Sequence, residues 1–188
     1  MTRCYGKNRL IVKRLLSAWC AATVMVVCLP AQADDRWIQA GEVLSYTLPL
    51  TAAIATFTLD DPEGRSQLLL AYGLTMTSAY LLQGFAERKR PDGSDEQSFP
   101  SLSGASSFLS AAFLQRRYGW DVGIPAYLAA SYVGWSTVYS DRHYASDVVA
   151  GAALALGVNL LLVEPGSASQ FALAPTAGGM ALAFEINF

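Results

Sequence analysis

The chain has 188 residues, of which 53% are hydrophobic, with 13 basic and 15 acidic side chains. Five of the basic residues and none of the acidic ones lie in the first 33 residues, so the remaining 155 residues have a net charge of −7. A length of 155 residues suits one domain, and an acidic domain is a poor candidate for nucleic-acid binding.

Residues 1–33 have the pattern of a signal peptide. Five basic residues precede an apolar run from Leu15 to Leu29, and Pro30-Ala-Gln-Ala33 supplies the small-x-small motif that signal peptidase needs. We predict cleavage after Ala33, and an uncleaved anchor helix is the alternative. All three cysteines lie in this segment, and the whole chain has one histidine. We therefore expect no disulfide, no metal centre and no cofactor in the mature chain.

Apolar segments separated by turn residues predict five helices after residue 34. Asp61 has the N-cap preference and Pro62 the first-position preference of a helix start. In the last helix, small residues recur at intervals suited to close helix packing, at Gly151, Ala153, Ala155 and Gly157. The predicted helices cover Trp37–Leu59, Gln67–Lys89, Ser101–Arg117, Gly123–Val138 and Ser146–Val163.

After the helices, two segments rich in apolar residues flank Gly178-Gly179, which predicts a short β-hairpin. The predicted fold is therefore all-α, a compact bundle of about five antiparallel helices with a short C-terminal β-hairpin. The predicted domains are the signal peptide at 1–33, the helical domain at 34–166 and the hairpin tail at 167–188. The apolar content fits either a soluble bundle or one embedded in a membrane.

Short connections bring the loops after the second and fourth helices to the same end of the bundle. Arg116 and Arg117 fall at the opposite end. The shared end holds His143 and half of the basic residues of the mature chain, namely Arg88, Lys89, Arg90 and Arg142. The sequence therefore predicts an anion site at this end.

His143 and Asp147 are separated by one helical turn. At this spacing the carboxylate can accept a proton from one ring nitrogen and leave the other nitrogen free to attack or to bind. The alternative is a loop-end histidine followed by a carboxylate in the first turn of a helix.

Three motifs follow one another at fixed spacing: Arg90-Pro91, then Phe99-Pro100-Ser101, then Ser136 with His143 and Asp147. The chain here resembles the type 2 phosphatidic acid phosphatase superfamily, which includes bacterial acid phosphatases and vanadium haloperoxidases. The signature of that family is KxxxxxxRP, PSGH and SRxxxxxHxxxD. The resemblance covers residues 40–163 and implies the fold of the family.

The resemblance also implies a role for each matching residue. Arg90 and Ser101 would bind phosphate, and His143, oriented by Asp147, would attack phosphorus to form a phosphohistidine. The sequence departs from the signature at four positions, which are degenerate: Gln83 for lysine, Leu102 for glycine, Ser103 for the histidine that protonates the leaving group, and Thr137 for arginine.

These departures remove the general acid and two of the three clamp cations. A positioned acid contributes roughly 10²–10⁴ in rate, and each lost electrostatic contact costs roughly 3–4 kcal/mol. Whether the chain is an enzyme is therefore open. The first hypothesis is a degenerate member that binds a phosphorylated lipid or phosphate anion with little or no hydrolysis. The alternative is an active lipid-phosphate phosphomonoesterase with a rebuilt clamp. Haloperoxidase chemistry is disfavoured, because vanadate needs the same clamp.

Several residues near the motifs are candidates to rebuild the site. A replacement cation could come from Arg88, Lys89 or Arg142, of which Arg142 is the best placed because it is next to His143. A replacement proton donor could come from Asp92, Asp95 or Tyr144. We expect an exported protein on the periplasmic face of the cell envelope, associated with the membrane; the oligomeric state is not indicated.

Overall fold

The computed structural model describes residues 34–166, 170–176 and 179–185. The predicted signal peptide lies outside these described residues. The prediction of an all-α bundle of five helices is confirmed over residues 34–166. Its helices are α1 Asp34–Thr58, α2 Pro62–Ala86, α3 Leu102–Tyr118, α4 Trp120–Tyr139 and α5 Ala145–Leu162.

The helix ends follow from the local sequence. The Asp61 carboxylate accepts a hydrogen bond from the Gly64 N–H at 2.9 Å, and Pro62 takes the first position of α2. This helix start is therefore the one that the sequence indicates. Between α3 and α4 the chain turns at Gly119, whose φ of 102° is a conformation that glycine adopts readily.

Helix α3 lies at the centre of the bundle and packs against each of the other four helices. Nearly all of its residues from Gly104 to Leu114 are buried. Within α5, Gly151 packs on α3, because a Cβ at this position would lie 2.6 Å from the Ser101 carbonyl oxygen. Gly157 has no neighbour within 4 Å. The prediction of close packing by small residues in α5 is therefore correct for Gly151 and wrong for Gly157, which points away from the bundle.

The outer faces of α1, α2, α4 and α5 carry many exposed large hydrophobic side chains. Leu69 and Phe85 of α2 are 69% and 84% exposed, and Leu161 of α5 is 84% exposed. A soluble surface rarely presents so much contiguous apolar area. By length and composition, α2 and α5 could each cross a membrane.

The end of the bundle opposite the predicted anion site is held by a buried ion pair. Arg117 donates two hydrogen bonds of 2.7 Å to the Asp61 carboxylate, and Tyr118 donates a third at 3.2 Å. The Arg117 side chain is only 10% exposed. Arg117 thus ties the end of α3 to the start of α2. Arg116 also has a structural contact, because its Nε donates to the Val163 carbonyl oxygen.

Two strands follow the helices, β1 Gln170–Thr176 and β2 Gly179–Glu185. They pair antiparallel, with Gln170 opposite Glu185 and Thr176 opposite Gly179.

Candidate active site

A cavity of about 610 Å³ lies between α1, α2, α3 and α4. Its wall carries the polar side chains of Arg90, Arg142 and His143. It also carries apolar side chains, among them Leu50 of α1 and Met76 of α2. The cavity therefore combines cationic and apolar groups.

His143 lies in the loop between α4 and α5 and is 6% exposed. Its backbone N–H donates to the Thr137 carbonyl oxygen, and its Nδ1 is 2.8 Å from the carbonyl oxygen of Ser98. Because a carbonyl oxygen can only accept, Nδ1 carries the proton in this hydrogen bond. Burial lowers the pKa of His143 below its ordinary 6.5, and the nearby Arg90 adds to this lowering. The neutral ring thus has its lone pair on Nε2.

The Nδ1 proton of His143 goes to the Ser98 carbonyl oxygen and not to Asp147, so the prediction that Asp147 accepts it is wrong. Its carboxylate accepts hydrogen bonds from Nη1 of Arg88 at 2.7 Å, from the Ser98 hydroxyl and from the Tyr144 N–H at 3.0 Å. The Ser98 carbonyl takes the place predicted for the carboxylate. Ser98 therefore connects the two residues, because its hydroxyl bonds the Asp147 carboxylate and its carbonyl oxygen bonds the His143 ring.

Arg88 is the partner of Asp147 rather than a cavity cation. It contacts this fully buried carboxylate from a position where its own side chain is 39% exposed, and it lies over the Tyr144 ring at 4.3 Å. Lys89 is exposed and lies 3.7 Å from Glu96. Of the three replacement cations considered from the sequence, Arg142 alone lines the cavity.

Arg90 also lines the cavity, as the predicted phosphate contact requires. Its Nε lies 2.8 Å from Asp95, but the N–H does not point at the carboxylate oxygen, so the two form an ion pair without a hydrogen bond. The loop is further closed by the Arg90 N–H, which donates to the Asp95 carbonyl oxygen at 3.0 Å. This loop positions Arg90 so that its side chain reaches the cavity.

Ser101, the other predicted phosphate ligand, is not part of the cavity wall. It is fully buried, and its hydroxyl accepts from the Gly104 N–H at 3.2 Å as the N-cap of α3. Its backbone N–H donates to the Asp147 carbonyl oxygen. The start of α3 needs an acceptor for its free N–H groups, and Ser101 fills this role. The Ser101 side chain was predicted to bind phosphate, but it is not among the residues that line the cavity.

The four degenerate positions divide into two groups. Leu102, Ser103 and Thr137 line the cavity. Gln83 does not: it is 4% exposed, and its amide donates to the carbonyl oxygens of Gln97 and Pro100 at 3.2 and 3.0 Å. Gln83 thus holds the loop that carries Ser98.

Two residues at this site could not be identified from the sequence. Ser98 was missed because it lies 45 residues before His143 in a polar loop. Glu42 of α1 was missed because it belongs to none of the three motifs. Among the described residues, Glu42 provides the acidic side chain on the cavity wall. Neither residue has a motif spacing that could have identified it.

Three comparisons with known proteins bear on this arrangement. The model of the PAP2 superfamily matches residues 67–164. A lipid A 1-phosphatase from Porphyromonas gingivalis is 38% identical over 78 residues, which are 39% of this chain and 17% of that protein. This chain therefore spans less than a fifth of that relative. The crystal structure of Aquifex aeolicus LpxE is similar with a TM-score of 0.62 and 21% identity, over 82% of this chain and 93% of that one. At this identity the similarity shows the fold.

Proposed function

Since the chain belongs to the PAP2 superfamily, we propose that it is a lipid-phosphate phosphomonoesterase of the cell envelope that works through a phosphohistidine on His143. The observation that carries this proposal is the hydrogen bond from Nδ1 of His143 to the Ser98 carbonyl oxygen. It leaves a lone pair on Nε2 of a ring that lines the cavity. A histidine kept for structure alone has no need of this exposure to a cavity.

The charges on the cavity wall support the same proposal. Arg90 and Arg142 line the cavity together with His143. Two guanidinium groups can bind the oxygens of a phosphate and stabilise the charge that develops on them during transfer. Arg142 would thereby replace one of the two clamp cations that the sequence lacks.

The apolar part of the cavity supports a lipid substrate. Tyr46 and Leu50 of α1 line the cavity and are 68% and 58% exposed, so the cavity opens on the apolar outer surface of the bundle. An acyl chain could enter there from a bilayer while its phosphate reaches Arg90. The matched relative from Porphyromonas gingivalis is named for its action on a phosphorylated lipid. We propose a substrate of this class.

The location follows from the same features. The apolar surface and the two helices able to cross a membrane support a membrane-associated bundle. We propose that residues 1–33 direct export, that residues 34–166 form the PAP2 domain with its site on the periplasmic face, and that residues 167–188 form a separate tail.

Binding of a phosphorylated lipid with little or no turnover is the second candidate. This binding role is favoured by three positions, Gln83, Ser103 and Thr137, at which the signature of the family has a lysine, a histidine and an arginine. The Thr137 hydroxyl donates to the Gly134 carbonyl oxygen, and Gln83 is turned to the loop carbonyls, so neither provides a charge to the cavity. Ser103 cannot protonate a leaving group near neutral pH.

Hydrolysis of a phosphate monoester by the mature protein in mild detergent separates the two candidates. We expect phosphate release that His143→Ala abolishes and that Arg90→Ala reduces by roughly 10²–10³. Equal background from the unchanged protein and His143→Ala would refute the phosphatase for that substrate.

Vanadate is the matching probe for binding. We expect vanadate to raise the melting temperature of the unchanged protein and of His143→Ala, and to have no effect on Arg90→Ala. A shift that is the same in Arg90→Ala would show that the anion binds elsewhere. In that case neither candidate holds for this cavity.

A further inference from the structure

The proposed hydrolysis lacks a proton donor for the leaving group, since Ser103 stands at the position where the family has histidine. The candidates considered from the sequence do not fill this role. Asp95 is paired with Arg90 and accepts the Gln97 N–H, and Tyr144 is covered by Arg88. Asp92 accepts the Ser94 N–H in the loop. None of the three lines the cavity.

Glu42 of α1, an exposed residue, does line the cavity. The packing of α1 on α4 fixes its position, because a Cβ at Gly41 would overlap the side chain of Ser136. The next residue, Thr137, accepts the backbone N–H of His143 at 3.2 Å. Glu42 therefore follows Gly41, which packs on Ser136, and Thr137 next to Ser136 accepts the backbone N–H of His143.

The other titratable groups on the cavity wall are Arg90, Arg142, His143, Tyr46 and Tyr72. The arginines stay protonated, and His143 is the nucleophile of the proposed reaction. The Tyr72 hydroxyl bonds the Ser106 hydroxyl at 2.9 Å. Tyr46 is on the lipid side of the opening and is 68% exposed. Glu42 is therefore the carboxyl group that the described part of the cavity wall offers for proton transfer.

We propose that Glu42 is the general acid and base of this site, an inference that rests on the proposed hydrolysis. Nε2 of His143 attacks phosphorus while the bond from phosphorus to the lipid oxygen breaks. The Glu42 carboxyl gives its proton to that oxygen, which leaves as an alcohol. The Glu42 carboxylate then takes a proton from water, whose oxygen attacks the phosphohistidine. Inorganic phosphate leaves, and both Glu42 and His143 return to their starting states.

The test compares Glu42→Gln with the unchanged protein on two substrates. One is an alkyl phosphate, whose leaving group needs a proton, and the other is dinitrophenyl phosphate, whose leaving group does not. We expect Glu42→Gln to lose about 10²–10⁴ in kcat/KM on the alkyl phosphate and only a few-fold on the activated ester, because kcat/KM reports the transfer of phosphate to His143 and not the later hydrolysis that needs the base.

The control is Glu87→Gln, an equal substitution of an exposed glutamate that is not on the cavity wall. It should leave both rates unchanged. An equal loss on both substrates, or no loss on either, would overturn the role of Glu42 while leaving the proposed hydrolysis standing. Hydrolysis of neither substrate by the unchanged protein would overturn the proposed hydrolysis and the role of Glu42 together.

Discussion

The contact between Arg88 and Asp147 leads to a prediction about the support of His143. Asp147 is fully buried and has four donors: Arg88, the Ser98 hydroxyl, the Tyr144 N–H and, at 3.5 Å, the Ser146 hydroxyl. Arg88→Met leaves the carboxylate with neutral donors only. A hydrogen bond to a charged group contributes about 1.5–3 kcal/mol, and the 39% exposure of Arg88 keeps the cost below that of a fully buried pair. We expect Arg88→Met to lower the free energy of unfolding by about 2–3 kcal/mol.

The same substitution should cost much less when the charge is absent. In Asp147→Asn the side-chain oxygen can still accept from Ser98 and Tyr144, so Arg88 has no carboxylate to neutralise. Arg88→Met in this background should lose the contact with the Tyr144 ring and the exposed hydrogen bond to the Ser146 hydroxyl, about 1 kcal/mol together. The two substitutions should therefore be coupled by roughly 1–2 kcal/mol.

Urea unfolding in mild detergent, followed by tryptophan fluorescence, measures each term. Lys89→Met is the matched control, because its pair with Glu96 is exposed on both sides, and it should change stability by less than about 0.5 kcal/mol. Equal costs of Arg88→Met with and without the Asp147 charge would refute the reasoning. In that case Arg88 would stabilise the loop by packing alone.

Three further predictions concern other parts of the molecule. The hydrogen bonds from Arg117 lower the pKa of Asp61 below its ordinary 3.8, so the ion pair stabilises the fold above pH 3.8 and this stabilisation is lost as the pH falls below that value. Arg117→Met should lower the free energy of unfolding by about 3–5 kcal/mol at pH 7. The free energy of unfolding of this variant should also depend less on pH in the acid range. Burial lowers the pKa of His143, so as the pH falls the imidazole is protonated in the unfolded chain before it is protonated in the folded one. The free energy of unfolding should therefore decrease as the pH falls through 6.5, and His143→Phe should remove this decrease. In thermal melts, Gly151→Ala should lower stability by about 1–3 kcal/mol, because its Cβ would lie 2.6 Å from the Ser101 carbonyl oxygen. Gly157→Ala has open space around its Cβ and should raise stability by about 0.5–1 kcal/mol. A reversal of these two signs would contradict the packing of α5.

The number and order of the helices could be predicted from the sequence, because each apolar segment is bounded by turn residues such as those at Asp61 and Pro62. The meeting of Arg90 and His143 at one cavity could also be predicted. Both lie in loops at the same end of an antiparallel bundle, and short connections allow few other arrangements.

The hydrogen bonds of the site could not be predicted, because they depend on which of several possible acceptors lies next to each donor in the folded chain. A spacing of four residues permits Asp147 to approach the ring of His143, but it does not exclude the carbonyl of Ser98. Ser101 matches a phosphate ligand by position and an N-cap by residue type, and its hydroxyl is seen in the second role. Glu42 has no spacing relation to the motifs, so only the packing of α1 on α4 brings it to the cavity.

The central position of α3 has a consequence for how the protein is made. This helix carries serines at 103, 106, 107 and 110, and the other helices surround it. In a bilayer, hydroxyl groups need partners that lipid tails do not offer, and the Ser106 hydroxyl finds one in Tyr72 of α2. If the bundle inserts as proposed, α3 should enter the bilayer together with a neighbouring helix, so that its serine hydroxyl groups already have hydrogen-bond partners there.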